Sequence, residues 1–413
     1  MIVESASVFK AGRLAGHIDR TLEGTTFSYS TEYLAEGGPS IASTLPLSDK
    51  PFVNGSGAVP PFFAGLLPEG RRLTSLIMRL KTSADDELTL VTAVGSNTIG
   101  DVQIFEAGQQ RPLVSVEPIV ALPRDMAIAS FDRLLEESLD VERIGLPGVQ
   151  DKVSGRMITL PAKASTDSFI LKFDPPEFPQ LVENEHFFLA LARKAGLDVE
   201  QSQLLTDSTG KKALLATRFD RLGGGETATS LAVEDACQAL GYWPKDKYKP
   251  SAEKAAKALI RLSAAKPAAA GALLGQMLFA WLTGNGDAHT KNFSVLGIDG
   301  EFAVAPAYDL PSSVFYDIDS TMALSVMGHK AGISGKIWQS FAEELGLKPA
   351  FARRVMREVL AATEGLDEQI AAGFLDFDAQ TCKKAAREIK NRRRLTLEGW
   401  PELVQTLAGH RLN

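Results

Sequence analysis

Cysteine is nearly absent from this chain. Its 413 residues hold only Cys237 and Cys382, too few for a disulfide framework, and this predicts a reducing, cytoplasmic setting. An excess of positive charge is missing too. Lys and Arg number 44 against 51 Asp and Glu, a net charge of -7, which argues against binding nucleic acid through overall charge and leaves room only for a local basic patch. No apolar run is long enough for a bilayer. The most apolar segment, GALLGQMLFAWLTG (271–284), is interrupted by Gln276 and falls short of the roughly 20 residues needed. The first ten residues, MIVESASVFK, carry Glu4 and lack the apolar stretch of a signal peptide. Disorder is excluded by a hydrophobic content of 45%, far above that of unfolded tails. The expectation is a soluble intracellular chain, long enough for two or three domains each with its own core.

The texture changes along the chain. Residues 1–110 mix short strand-like runs (ASVFKAG, GHIDRTLEG, TTFSYS) with Gly- and Pro-rich loops, one helical stretch after Pro68-Glu69-Gly70, and a closing strand VQIFE at 102–106. A polar linker, EAGQQRP, comes next. Over 140–232 the strands are clearer, at 153–159, 168–173 and 213–219. Between the last two, Phe187, Phe188 and Leu191 recur at helical spacing until Gly196 stops the helix. From 233 to 413 the periodicity is almost wholly helical. One island interrupts it, two short strands around an Asp299-Gly300 turn.

That island carries the chemistry. A buried helix ends at Gly284, and Asn285-Gly286-Asp287-Ala288-His289-Thr290-Lys291-Asn292 leads into the hairpin, which closes at Tyr308-Asp309-Leu310-Pro311. An Asp, an Asn five positions later, a β-hairpin and a second Asp follow the order of a protein-kinase catalytic loop and its metal-binding Asp. Phosphoryl transfer needs these types. A carboxylate must take or orient the proton of the attacking hydroxyl, and hard oxygen ligands must hold Mg²⁺ against phosphates. Turn chemistry alone also accounts for a Gly-Asn-Gly-Asp run. Upstream, Lys172 in the strand SFILKF could place a cation on nucleotide phosphates, with Glu185, thirteen positions on, to hold it. By itself, Lys172 reads better as a strand-end lysine whose stem lies on apolar surface while its head reaches water.

These runs also carry a family resemblance. LPGVQDK, SFILKFD, VENEHFFLALARKAGL, ATRFDR, EDACQALG, GNGDAHTKNFSV and PAYDL resemble, in order and spacing, the HipA family of bacterial toxin serine/threonine kinases. PPFFAGLLPEG (60–70) and SNTIGDVQIF (96–105) look like the accessory domain that precedes the kinase core in that family. The resemblance implies an α+β fold: a protein-kinase-like two-lobed core, with a small sheet lobe and an all-helical C-terminal lobe, preceded by a small mixed α/β N-terminal domain. It implies ATP and Mg²⁺ as cofactors, with Asp287 as catalytic base and Asn292 and Asp309 as metal ligands. Lys172 and the segment Pro147, Gly148, Val149, Gln150, Asp151 and Lys152 would contact the phosphates, with Glu185 beside Lys172. Thr217, Arg218 and Phe219 would form the hinge beside the adenine, and Tyr308, Thr290, Lys291 and a loop-ordering His289 would complete the nucleotide site. The implied partners are a small helix-turn-helix antitoxin of the HipB type, DNA indirectly through it, and an aminoacyl-tRNA synthetase as the phosphorylated substrate, so that translation and growth stop. Two other classes stay open. One is a small-molecule phosphotransferase, which would lack the N-terminal domain; the other is a non-catalytic nucleotide-binding co-repressor.

Two features stand apart. KKAAREIKNRRR (383–394) has seven basic residues among twelve and reads either as a solvated helix face or as a contact for DNA phosphate or an acidic surface. Gly145 occupies the place where the best-known members of the family carry a regulatory serine, and a glycine offers no acceptor oxygen. Self-inactivation by phosphorylation just before Gly148 is therefore not expected. Mass spectrometry after incubation with ATP and Mg²⁺ should find no stoichiometric phosphate within 138–147; phosphate there, together with lost ATP binding, would overturn this.

Overall fold

The computed structural model describes residues 2–55, 58–108, 120–123, 126–139, 157–164, 167–223, 229–316 and 318–398. Gly145 and the segment Pro147–Lys152 lie outside the described residues, as do most of the linker after 108 and the start of the strand expected at 153–159.

The chain begins with a meander. Strands β1 (Ser5–Lys10), β2 (Arg13–Thr21), β3 (Gly24–Tyr29), β4 (Phe52–Gly55) and β5 (Val102–Glu106) form an antiparallel sheet in the order β4-β3-β2-β1-β5. Alternate residues of β1 point inward, as a sheet with one covered face requires. Helices α1 (Thr31–Ala35), α2 (Pro61–Ala64), α3 (Gly70–Leu80) and α4 (Glu87–Val94) accompany it. Val8, Ile18, Phe27, Phe63, Leu88 and Ile104 share one core there. Helix α3 is the stretch expected after Gly70. No period announced α4, because six of its eight residues are buried.

A second sheet, in the order β6-β7-β8-β10-β9, is built from β6 (Val120–Ala121), β7 (Ile158–Ala164), β8 (Asp167–Phe173), β9 (Ser202–Thr206) and β10 (Lys212–Thr217). Strand β7 extends past the expected end at 159 and across Pro161, at a point where β6 pairs only with Ala162 and Lys163. Helix α5 (Phe131–Leu139) covers this sheet, and α6 (Leu181–Lys194) links it to the helical part of the chain. The Asp174 carboxylate accepts the N–H groups of Gln180 and Val182, both at 2.8 Å, to open α6, and Gly196 at φ 76° closes it.

The remainder is largely helical. Two small sheets interrupt it: β11 (Arg221–Leu222) with β12 (Thr229–Ser230), and the three-stranded β13 (Val233–Asp235), β14 (Ser294–Ile298) and β15 (Glu301–Val304). The β14–β15 turn is the expected one, with Asp299 and Gly300 at φ 51° and 84°. Around these lie α7 (Ala236–Ala239), α8 (Ala252–Leu262), α9 (Lys266–Thr283), α10 (Gly335–Glu344), α11 (Pro349–Ala362), α12 (Leu366–Ala371) and α13 (Ala379–Leu397). Helix α9 is the axis of this part and is buried on every side after its first turn. Phe188, Leu189 and Ala192 of α6 belong to the same core as Leu274 and Leu278 of α9, so the second sheet and the helices are bound through α6. Among the described residues no helix is long and apolar enough to cross a membrane.

The basic run on α13 is not uniformly solvated. Arg392 is 1% exposed, lies 4.6 Å over the Trp281 ring and donates to the carbonyls of Trp281 and Ser320. Arg393 reaches the Leu360 carbonyl. The other basic residues of the run face water.

The first sheet is clamped to the rest by polar groups. Asp220 is buried between Arg218 and Arg221 and accepts the Gly100 N–H at 2.8 Å, while both arginines donate to the Thr98 carbonyl at 2.7 Å. Asp220→Ala strands two guanidinium groups in a buried place. It should cost about 3–5 kcal/mol, whereas Arg394→Ala, which breaks an exposed pair with Glu398, should cost about 1 kcal/mol or less. Urea unfolding of the two variants checks the contrast.

Candidate active site

The loop after α9 is fixed at both ends. Gly284 stands at φ 70°, and a Cβ there would lie 2.3 Å from Val314 Cγ1, so glycine is required for backbone and space alike. The Ser313 hydroxyl donates to the Gly284 carbonyl at 2.9 Å and accepts the Gly286 N–H at 3.0 Å. Asn285 accepts the Asp287 N–H through Oδ1 at 3.0 Å and donates through Nδ2 to the Asp309 carbonyl at 3.2 Å. The two ends of the hairpin, 287 and 309, are thereby held together by one amide side chain.

Asp287 is 2% exposed, and its Oδ1 accepts the Tyr248 hydroxyl at 2.7 Å. His289 is buried, gives its N–H to Asn292 Oδ1 at 3.0 Å and meets the Tyr248 ring edge-on. Its contacts are those of a residue that shapes the loop. Asn292 Nδ2 lies 2.6 Å from Asp309 Oδ2, and Asp309 itself adopts φ 56°, a left-handed conformation that Asp tolerates better than most residues.

The strand lysine is in the same place. Lys172 Nζ sits 2.5 Å from Glu185 Oε1, 3.8 Å from Asp309 Oδ1 and 4.0 Å from Glu200 Oε1. Burial works against its ammonium, but Glu185, Glu200 and Asp309 outweigh burial and hold its pKa above the ordinary lysine value. Burial pushes the carboxyls of Glu185 and Glu200 up, against the pull of Lys172. Three carboxylates thus share one ammonium. Glu185 Oε2 and Glu200 Oε1 have no hydrogen-bond partner among the described residues. Asn292 and Asp309, side by side, offer hard oxygen donors of the kind taken by Mg²⁺, an ion that needs few protein ligands and completes its shell with water and phosphate.

Other expected site residues are turned elsewhere. The Arg218 guanidinium is taken by Asp220, Asn97 and Thr98, so only its backbone is available to a hinge. Thr217 closes β10, its N–H bonded to the Gln201 carbonyl at 2.8 Å. Phe219 packs on Tyr308 at 5.4 Å between ring centres, and the Tyr308 hydroxyl donates to the Lys291 carbonyl at 2.6 Å. Thr290 donates to the Lys247 carbonyl at 2.9 Å. The Lys291 ammonium donates to the Gly65 carbonyl at 2.8 Å and pairs with Asp235 and Glu69 at 3.4 and 3.8 Å. Glu69 also pairs with Lys247.

Comparison with known proteins decides the family. Residues 6–105 match the model of the HipA N-terminal domain, and residues 144–366 match that of the HipA-like C-terminal domain. The chain belongs to the HipA family. Y4mE of Sinorhizobium fredii, named provisionally as a kinase, is 30% identical over 393 residues, 88% of this chain and 91% of that one. The serine/threonine-protein kinase toxin HipA of Shewanella oneidensis is 28% identical over 405 residues, 89% of this chain and 92% of that one. A solved complex of HipA, HipB and operator DNA from Shewanella oneidensis MR-1 has a chain that superposes with a TM-score of 0.74 at 21% identity, over 96% of this chain and 99% of that one. The fold is accordingly α+β and kinase-like, as expected.

Within this HipA-family site, sequence reading missed Tyr248, Glu200, Asn285 and Glu69. Asn285 lies inside the loop motif and could have been found there. The other three come from distant segments with no local signal. Tyr248→Phe removes a hydrogen bond to a carboxylate, worth about 1.5–3 kcal/mol. Turnover should fall about 10- to 100-fold with ATP affinity unchanged, and steady-state kinetics beside calorimetric titration checks the split.

Proposed function

We propose that this chain is an ATP- and Mg²⁺-dependent protein serine/threonine kinase, the toxin of a toxin–antitoxin pair. The observation that carries the reading is one convergence. Lys172, locked to Glu185, stands 3.8 Å from Asp309, which in turn meets Asn292 at 2.6 Å within the loop that carries Asp287. In this reading Lys172 binds the nucleotide phosphates and Asp287 orients the attacking hydroxyl. The acceptor oxygen forms its bond to the γ-phosphorus as the bridging bond to ADP breaks, and the hydroxyl proton passes to Asp287. Asn292 and Asp309 would hold Mg²⁺, which when bound neutralises charge on the phosphates. Positioning and electrostatics supply most of the catalysis.

The biological setting rests on the relatives. A HipB-type helix-turn-helix antitoxin as partner, DNA reached through it, and a cytoplasmic aminoacyl-tRNA synthetase as substrate all fit a HipA-family toxin. Against a small-molecule phosphotransferase stands the N-terminal part, whose Glu69 reaches the loop lysine Lys291.

Purified chain with ATP, Mg²⁺ and a panel of aminoacyl-tRNA synthetases should transfer phosphate to a Ser or Thr of one of them. Asp287→Asn and Asp309→Asn should each lower the rate about 100-fold or more, with little change in melting temperature and with growth restored in cells expressing them. Transfer by Asp287→Asn at the wild-type rate would overturn the assignment of the base. Lys172→Ala should weaken ATP binding and turnover together; unchanged values would return Lys172 to a structural role.

A further inference from the structure

Asn184 is a buried amide that the kinase reading leaves without a role. It lies within α6, next to Glu185, and no part of it reaches solvent. Asparagine is a poor residue for a helix interior, and an amide taken out of water is unfavourable unless its polar ends are bonded. Here both ends are bonded, and by a single residue. Nδ2 donates to the Ser312 carbonyl at 2.9 Å, and Oδ1 accepts the Ser312 N–H at 2.8 Å. The two residues are 128 positions apart in sequence. Further along the same segment, the Tyr316 hydroxyl donates to the Pro179 carbonyl at 3.1 Å, just ahead of α6. Positions where a sequence breaks a local rule are where function is to be looked for.

Ser312 stands between two parts of the site. Before it in the chain comes Asp309, whose φ of 56° is a strained backbone that persists only where the surroundings over-determine it. Asn285 holds the Asp309 carbonyl and Asn292 its carboxylate, both from the 285–292 loop. Asn184 fixes the chain that leaves Asp309, and does so from the side of α6. After Ser312 comes Ser313, whose N–H and hydroxyl each donate to the Gly284 carbonyl at 2.9 Å, while the hydroxyl accepts the Gly286 N–H at 3.0 Å. A grip on the Ser312 backbone therefore reaches Asp309 in one direction and the residue before Asp287 in the other. The next side chain on α6, Glu185, takes Lys172 at 2.5 Å.

We propose that Asn184 is a positioning residue for phosphoryl transfer: its grip on Ser312 holds Asp309 and the 284–287 loop in register with the Lys172–Glu185 pair. The catalytic consequence rests on the kinase reading; the grip itself is tested on the free protein. The variants are Asn184→Ala and the milder Asn184→Ser, whose side chain is too short to bond both backbone groups of Ser312. Without nucleotide, hydrogen exchange of the 312–316 amides should quicken roughly tenfold or more in both. Calorimetric titration with ATP in EDTA should give the wild-type affinity. The apparent affinity for Mg²⁺ in saturating ATP should weaken about 10- to 100-fold. In the kinase assay, the Mg²⁺ concentration giving half-maximal turnover should rise by the same factor. Thr89→Val supplies the comparison, because it removes a buried hydroxyl that accepts the Val3 N–H at 3.0 Å beside the first sheet. It should lower the melting temperature and leave Mg²⁺ affinity and exchange at 312–316 unchanged.

Exchange at 312–316 that stays at the wild-type rate in both variants overturns the grip. Quickened exchange with unchanged Mg²⁺ affinity overturns its role in the site. A loss of Mg²⁺ affinity in Thr89→Val equal to that in Asn184→Ser also overturns it, since general destabilisation would then account for both. Wild-type protein that takes up no ATP in Mg²⁺ strikes at the kinase reading and takes the catalytic part of the proposal with it, while the exchange arm still decides the grip.

Discussion

The structure turns on the burial of one ammonium among three carboxylates. Lys172 comes from the second sheet, Glu185 from α6, Glu200 from the turn after α6, and Asp309 from the far end of the hairpin. Taking ionised groups out of water costs several kcal/mol each unless they find one another. Each of the four segments thereby holds a charged group of another. Sheet, linking helix and helical part are all tied to this point. Burial raises the carboxyls of Glu185 and Glu200, so these two take up protons more readily than free carboxyls and the cluster stays close to charge balance.

A second set of polar links joins the first sheet to the loop. Glu69 holds Lys247 and Lys291. The residue after Lys247 is Tyr248, whose hydroxyl meets Asp287, and the Lys247 carbonyl anchors Thr290. The N-terminal part is thus a positioning element for the loop, in contact with it through side chains rather than through a linker.

Much of this was legible in the sequence where the signal is local. Gly284 to Asn292, the Asp299-Gly300 turn and Asp309 lie close along the chain, and their residue types reflect a short stretch of backbone with few conformations open to it. The Lys172–Glu185 pair was legible because a strand and a helix of fixed pitch lie between its members. Glu200, Tyr248 and Glu69 were not, since tertiary packing alone brings them in and no period marks them. Arg218 shows the opposite case. The strand expected to reach 219 stops at Thr217, and the Arg218 side chain is claimed by Asp220 two positions on, within the turn that follows. The Arg-Phe-Asp-Arg spacing carried that information. In α13, a count of basic residues could not separate Arg392, sealed against Trp281, from its exposed neighbours, because the indole beneath it lies on another helix.

The Lys291–Gly65 hydrogen bond spans 226 positions of sequence. During synthesis at about 5–20 residues per second, roughly 10–45 seconds separate the emergence of its two ends. Throughout that interval the first sheet can fold and offer Glu69 to water, where an unpaired carboxylate is well solvated. The loop gains its last fastening only after α9 has left the ribosome. The loop is therefore fastened to the first sheet only late in the synthesis of the chain.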